Sequence, residues 1–274
     1  MIRSVCRLTR PRLALLNGIA GLAGYLLHPR VMMPAEMAGV VGGVTLLAAA
    51  GSACNQVQER DLDLLMARTR TRPLPSGDLA PATALVIGGV CALAGLLLLI
   101  ATGGWLPALL AMAALAWYLG IYTPLKRRTS LALALGAVCG ALPPVIGWCV
   151  AGGQLTDFRV IILAGLFFLW QVPHFWLFQR RHAADYRAAG LPLFEGRLPA
   201  QGTRAVCRLW LAALAAGALL LPAFGLMDRQ VALWYALFPL MLGGISCFRR
   251  FDALLFPGLN LFPLTMVVAL LAGH

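Results

Sequence analysis

Charge is scarce in this chain. Asp, Glu, Lys and Arg make up 12% of its 274 residues, against 61% that are hydrophobic. A soluble domain carries about a quarter charged residues, so water is excluded as the surroundings of most of this one. Lipid is not excluded, because helices and closed barrels satisfy their own backbone there. Ten-residue stretches of alternating hydrophobicity are missing, which removes the barrel. Paired cysteines are missing too. Cys6, Cys54, Cys91, Cys139, Cys149, Cys207 and Cys247 stand singly, with no CxxC, and most lie inside apolar runs. That pattern argues against a disulfide frame or a zinc site and for buried thiols. No clear small-residue cleavage site follows the first apolar run, so the segment reads as a first span and not a cleaved leader. Acids are few: 10 against 22 Lys and Arg, a net charge of +12. The excess does not point to nucleic acid, because the cations sit in short clusters between apolar runs.

What is present is a series of helix-length apolar runs, with a mean hydropathy of +0.83 for the whole chain. Nine can be drawn, at 12–28, 36–55, 80–101, 105–123, 131–150, 160–179, 204–224, 231–248 and 253–272. Each approaches the ~20 residues needed to cross ~30 Å of hydrocarbon. The last is the weakest, since Pro257, Gly258 and Pro263 interrupt it. Of the 22 cations, only Arg30, Arg159 and Arg229 fall on one side of the alternating loops. The crowded side is therefore read as cytoplasmic, with the N-terminus inside and His274 outside. The expectation is an all-α polytopic protein of the inner membrane, one membrane-embedded unit over residues 1–274. Two inner loops are long and polar, 56–79 and 180–203, and long loops are where chemistry tends to sit.

The first loop opens with Asn55, Glu59 and Asp63. If the second helix continues, these lie four apart on one face, ~6 Å apart along the axis. An amide oxygen and two carboxylates at that spacing suit Mg²⁺, which takes hard oxygen ligands and substrate phosphates; a solvated helix end is the plainer alternative. Arg68, Arg70 and Arg72 follow at alternate positions and serve equally as a topology signal or as a diphosphate seat. The second loop holds Asp185 and Tyr186, preceded by Trp170 and His174 at the inner end of the sixth run. His174 alone is compatible with packing, proton transfer or haem ligation. Between them Lys126, Arg127 and Arg128 form a short cationic loop. Gly136, Gly140, Pro143, Pro144 and Gly147 then punctuate the fifth run and suggest close helix approach with a bend.

Taken in order, these strings resemble the UbiA-type intramembrane prenyltransferases over almost the whole chain. The resemblance runs through Leu8-Thr9-Arg10-Pro11-Arg12-Leu13, the acidic loop into Met66-Ala67-Arg68-Thr69-Arg70-Thr71-Arg72-Pro73-Leu74, and Tyr122-Thr123-Pro124-Leu125-Lys126-Arg127. It continues with Gly140-Ala141-Leu142-Pro143-Pro144-Val145-Ile146-Gly147, Trp170-Gln171-Val172-Pro173-His174-Phe175 and Asp185-Tyr186-Arg187-Ala188-Ala189-Gly190-Leu191-Pro192. The arginine-rich and Trp-Gln-Val-Pro-His-Phe strings are most similar to the branch that acts on haem. The resemblance implies nine helices around a central cavity with the active site on the cytoplasmic side. It implies Asn55, Glu59 and Asp63 as Mg²⁺ ligands, with Asp185 at a second acidic site. It makes Arg60, Arg68, Arg72, Lys126 and Arg127 diphosphate-binding residues, and Trp170, His174 and Tyr186 contacts of the acceptor. The chain departs from the usual pattern at Glu59 and Gln56, where relatives carry aspartate, and at Arg181, where relatives outside the haem branch have an acid.

The implied reaction moves a farnesyl group from farnesyl diphosphate to a vinyl carbon of haem b. The product would enter a haem–copper oxidase assembly pathway. Metal and cations would stabilise the departing diphosphate, and an apolar cavity would shield the allylic cation. No side-chain nucleophile is evident or needed. The rivals are a related enzyme with another acceptor, such as 4-hydroxybenzoate or a quinone precursor, a transporter, and a non-catalytic haem-binding protein. Against transport, the acids cluster at inner helix ends and not at mid-membrane.

Overall fold

The computed structural model describes residues 1–194, 200–247 and 252–273. Arg197, Arg249, Arg250 and His274, four residues used in the orientation count or the topology, lie outside the described residues. Among those described there is no strand. A short α1 (Ile2–Thr9) precedes α2 (Pro11–Leu27), α3 (Pro34–Gln58) and a single extra turn and a half, α4 (Arg60–Leu65). Then come α5 (Pro81–Gly103), α6 (Trp105–Trp117), a π-helical turn (Tyr118–Tyr122), α7 (Thr123–Lys126) and α8 (Ala132–Val150). The second half is α9 (Phe158–Arg181), α10 (Ala183–Ala188), α11 (Ala200–Ala218), α12 (Leu220–Ala223), α13 (Arg229–Cys247) and α14 (Asp252–Ala272).

Local chemistry explains where these helices start. Prolines open α2, α3 and α5, where a missing N–H costs nothing and the fixed φ is already helical. The Asp157 carboxylate accepts from the Arg159 amide at 2.9 Å and caps α9. The prolines expected to weaken the last run do not break it: Pro257 and Pro263 both lie inside the continuous α14. Neighbouring helices and local backbone adjustment can absorb a proline in such a setting.

Helices that are neighbours in sequence pack side by side, and α14 returns against both α2 and α9, which closes the bundle. The tightest approach is between α2 and α8. A Cβ at Gly24 would fall on the Pro144 carbonyl, and one at Gly147 on the Gly21 carbonyl. The paired glycines let two backbones touch, which is how helices gain packing where lipid removes the hydrophobic drive. Trp148, Tyr25, Phe167, Tyr235 and Phe262 fill the interior. The outside is apolar as well. Val86, Val90, Leu93 and Leu97 form an exposed stripe at helical spacing on α5. This helix has a mean hydropathy of 2.7, yet only 22% of it is buried. Water would forbid that arrangement and lipid favours it, so the molecule is a multi-pass membrane protein.

Seven described helices are long and apolar enough to cross a membrane, not the nine expected. The other two expected segments are also helical. α2 has 17 residues, ~25 Å at 1.5 Å per residue, and α13 has 19.

Candidate active site

The acidic face expected from the spacing is built, and the chain keeps its register through a bend. α3 ends at Glu59, which has φ −106° and ψ 14°. The amide of Glu59 still bonds the Asn55 carbonyl at 2.9 Å, and that of Asp63 the Glu59 carbonyl at 2.8 Å. The four-residue repeat therefore survives the bend, and Asn55, Glu59 and Asp63 share one side. All three are buried, with 8%, 3% and 0% of their surface exposed. Asn55 Nδ2 donates to Thr123 Oγ1 at 3.2 Å, which leaves its carbonyl oxygen as the ligand-bearing atom.

Cations from two other elements meet this ladder. Arg72 Nη1 donates to both Asp63 oxygens, at 2.9 and 2.7 Å. Lys126 Nζ donates to Glu59 Oε2 at 2.8 Å and stands 2.6 Å from Oε1. The second contact lacks hydrogen-bond geometry, so Oε1 remains a buried oxygen with no hydrogen-bond partner. Burial pushes the Asp63 carboxyl above its usual range, with Arg72 opposing the shift. Arg127, expected on the phosphates, instead forks across Asp61 at 2.8 Å twice and donates to the Gln58 carbonyl at 2.7 Å. It straps α7 to α4. Arg60 is exposed, with no hydrogen bond or ion pair among the described residues, and is not drawn to the ladder.

Two further guanidiniums close on the site with no ion pair among the described residues. Arg68 lies over the Phe178 ring, 5.2 Å from its centroid. Arg10, absent from the sequence-based set, occupies the hinge between α1 and α2. It is the only described non-glycine residue with positive φ, at 49°. A left-handed conformation costs roughly 1–2 kcal/mol, and a residue before proline normally prefers extended backbone. The conformation is held by the Arg10 amide on the Cys6 carbonyl and by the Leu13 and Ala14 amides on the Arg10 carbonyl. Burial and the neighbouring charge of Arg72 lower the proton affinity of both Arg10 and Arg68, while Asp63 opposes this. Both side chains are exposed.

Tyr118 and Tyr122 are half-buried. The π-helical turn stacks their rings at 5.7 Å. Thr123 holds the turn, its hydroxyl donating to the Tyr118 carbonyl at 2.9 Å. Such single turns are common at functional sites. Gly136 on α8 makes room for Tyr122, whose ring occupies the place a Cβ would take. No sequence signal singled out these tyrosines beyond the Tyr-Thr-Pro string.

The second loop is placed beside the first. Asp185 Oδ1 accepts from the Ala67 amide at 2.9 Å, so it docks α10 onto the loop that carries Arg68 and Arg72. Tyr186 is buried with Leu62, Met66, Ala189 and Leu191 and seals the same contact. On α9, Trp170, His174 and Phe178 follow at four-residue spacing. The His174 ring stacks between Trp170 at 4.9 Å and Phe256 at 5.4 Å. Its Nδ1 is buried with no hydrogen-bond partner, and Trp170 Nε1 donates to the Leu259 carbonyl at 2.6 Å. Gln56, which stands where relatives carry an acid, donates to the Leu8 carbonyl at 2.7 Å. An aspartate could not make that bond, so the substitution locks α1 to α3.

Among the described residues no three His, Cys, Asp or Glu side chains converge. The donors available are two carboxylates and one amide oxygen. They fit Mg²⁺, which is commonly held by one or two carboxylates and completed by water and substrate phosphates. The observation that favours the fit is Glu59 Oε1, a buried oxygen ion-paired to Lys126 but given no hydrogen bond.

An all-helical membrane bundle with a buried oxygen ladder ringed by cations defines an intramembrane enzyme for anionic substrates. A model of the UbiA prenyltransferase family matches residues 17–254, and the chain belongs to that family. A protoheme IX farnesyltransferase of Geobacter sulfurreducens is 60% identical over 99% of both chains. One from Oleidesulfovibrio alaskensis is 45% identical over 82% of this chain and 79% of its own. The fold matches a UbiA homologue from Aeropyrum pernix, TM-score 0.78 at 19% identity over 96% and 98% of the two chains. It also matches an Archaeoglobus fulgidus homologue bound to DMAPP and Mg²⁺, TM-score 0.66 at 15% identity over 98% of each.

Proposed function

We propose that this chain transfers the farnesyl group of farnesyl diphosphate to a vinyl carbon of haem b, giving haem O. The reaction takes place at the cytoplasmic side of the inner membrane, in one membrane-embedded unit spanning residues 1–274. The observation that carries the reading is the buried Asn55–Glu59–Asp63 ladder faced by Arg10, Arg68, Arg72 and Lys126, with an aromatic-walled histidine on the adjoining helix. Full-length similarity to a protoheme IX farnesyltransferase supports the choice of acceptor.

Asn55, Glu59 and Asp63 would hold Mg²⁺, which when bound supplies neutralisation of the departing diphosphate. Arg10 and Arg68 form no ion pair among the described residues, and with Arg72 and Lys126 they grip the phosphates. Asp185 acts as a docking residue that positions the Arg68–Arg72 loop. The allylic C–O bond breaks and its electron pair leaves with the diphosphate. Tyr118 and Tyr122 wall the resulting cation from water. The haem vinyl carbon bonds to the farnesyl C1, water adds to the adjacent carbon, and one proton leaves to solvent. Trp170, His174 and Tyr186 stand on the acceptor side, with His174 Nδ1 free to meet haem. The product would supply assembly of a haem–copper oxidase.

The test is to incubate the purified protein with haem b, farnesyl diphosphate and Mg²⁺ and follow product mass. Wild type should give haem O, and Asp63→Ala should lower turnover by about 10²–10³, the scale of losing one preorganised charge-stabilising group. Prenylation of 4-hydroxybenzoate with none of haem would overturn the acceptor and keep the class.

A further inference from the structure

The two carboxylates that would hold the metal are already neutralised by the protein's own cations. Arg72 covers Asp63 with two hydrogen bonds, and Asp63 has no exposed surface. Lys126 lies within 2.8 Å of both Glu59 oxygens. With Arg10 and Arg68 alongside, and Asp185 as a further acid acting on Arg68, four described cations face three described acids, so the cluster is positive before any divalent ion enters. A metal arriving alone would add charge of the same sign in a partly desolvated place, where like charges repel more strongly than in water. It would also have to break two buried ion pairs. A diphosphate reverses both costs: its oxygens offer Arg72 and Lys126 a new partner, and its charge outweighs that of the metal.

Resting on the reading of this site as a prenyl diphosphate site, we infer that Arg72 and Lys126 are exchangeable counter-ions. They hold Asp63 and Glu59 until a prenyl diphosphate arrives. They then pass to its phosphate oxygens and release the two carboxylates to the divalent ion. Metal and diphosphate thus bind as one thermodynamic unit, each strengthening the other by the same factor. The geometry permits the exchange. Arg72 sits on a loop outside the spans, and Lys126 is the last residue of the short α7, so a rotamer change of two long side chains is sufficient. Arg127 is the internal contrast: it is engaged with Asp61 and the Gln58 carbonyl on the exposed side and stays there.

The experiment measures Mn²⁺ affinity of the full chain in detergent by electron paramagnetic resonance, with and without farnesyl thiolodiphosphate, an analogue that resists ionisation. Affinity should rise about 100-fold with the analogue, and analogue affinity should rise by the same factor with Mn²⁺. In Lys126→Met, where Glu59 has lost its counter-ion, Mn²⁺ alone should bind more tightly than to wild type and the coupling should shrink about tenfold. Equal Mn²⁺ affinity with and without the analogue in the wild type would overturn the exchange and leave the enzymatic reading standing. Failure of the analogue to bind under either condition would overturn the reading of the site, and the exchange with it.

Discussion

Asp61 and Asp63 stand two residues apart, each beside a guanidinium, and their surroundings give them opposite behaviour. Asp61 is mostly exposed, and its two hydrogen bonds from Arg127 hold the carboxyl below the usual range. Its contribution to stability is therefore present above the unfolded value of about 3.9 and is lost as pH falls through the lower folded value. Asp63 is buried, and burial raises its carboxyl. Its charge thus opposes folding above that raised value, and the opposition disappears below the unfolded one. An acid kept charged against its own folding is kept for a task. Thermal unfolding of wild type against Asp61→Asn should show a small constant difference at neutral pH that shrinks as pH falls below about 4. A difference that persists unchanged to pH 3 would mean that Asp61 acts through packing and not charge. At this scale the ladder was legible, because a repeat of four is a local property of a helix. Arg10, Tyr118 and Tyr122 were not, because chain distant in sequence brings them to Asp63 and Glu59. The strap role of Arg127 was equally hidden, since a cation next to Lys126 reads the same whichever acid it meets.

The helices themselves were written in the hydrophobic runs. Departures from regular helix were not. The bend at Glu59 and the π-helical turn at Tyr118–Tyr122 are joined by a cross-element contact, Asn55 to Thr123, whose hydroxyl in turn bonds the Tyr118 carbonyl. Pro257 and Pro263 misled in the other direction, because a helix packed on its neighbours tolerates a lost hydrogen bond better than an isolated one. The glycines divide by neighbourhood. Gly24 abuts the Pro144 backbone, whereas nothing lies within 4 Å of a Cβ at Gly89. Gly24→Ala should destabilise by about 1–3 kcal/mol as the α2–α8 contact is wedged open. Gly89→Ala should be neutral or stabilise by about 0.4–1 kcal/mol, since it only restricts the unfolded chain. Melting of both variants in one detergent checks the pair, and equal losses would show that the backbone contact does not govern stability.

Across the whole molecule, the sequence placed most acids and most cations at one side, and the structure gathers Glu59, Asp61, Lys126, Arg127 and Asp185 there. Arg30, Glu36 and the Ala151 carbonyl meet in a separate cluster, in the connections expected on the other side. If the positive-inside orientation holds, Cys6, which is exposed, reacts with a membrane-impermeant thiol reagent in inside-out vesicles and not in intact cells freed of their outer membrane. A cysteine placed by Thr156→Cys reacts in the intact cells. The reverse pattern would invert the topology and put the ladder outside.

The sequence by itself determined that this chain lives in lipid and that it folds as apolar helices, and its four-residue spacing offered a shared face for Asn55, Glu59 and Asp63 if the helix continued. Composition and short periodicities decide those matters, and both are local. Only the tertiary structure decided which cations meet that face, that Arg72 and Lys126 already occupy the carboxylates, and that Arg10 joins them from a left-handed hinge. Those outcomes depend on helices far apart in the chain closing on one another. A charged side chain states its sign in the sequence, but its partner is chosen by packing.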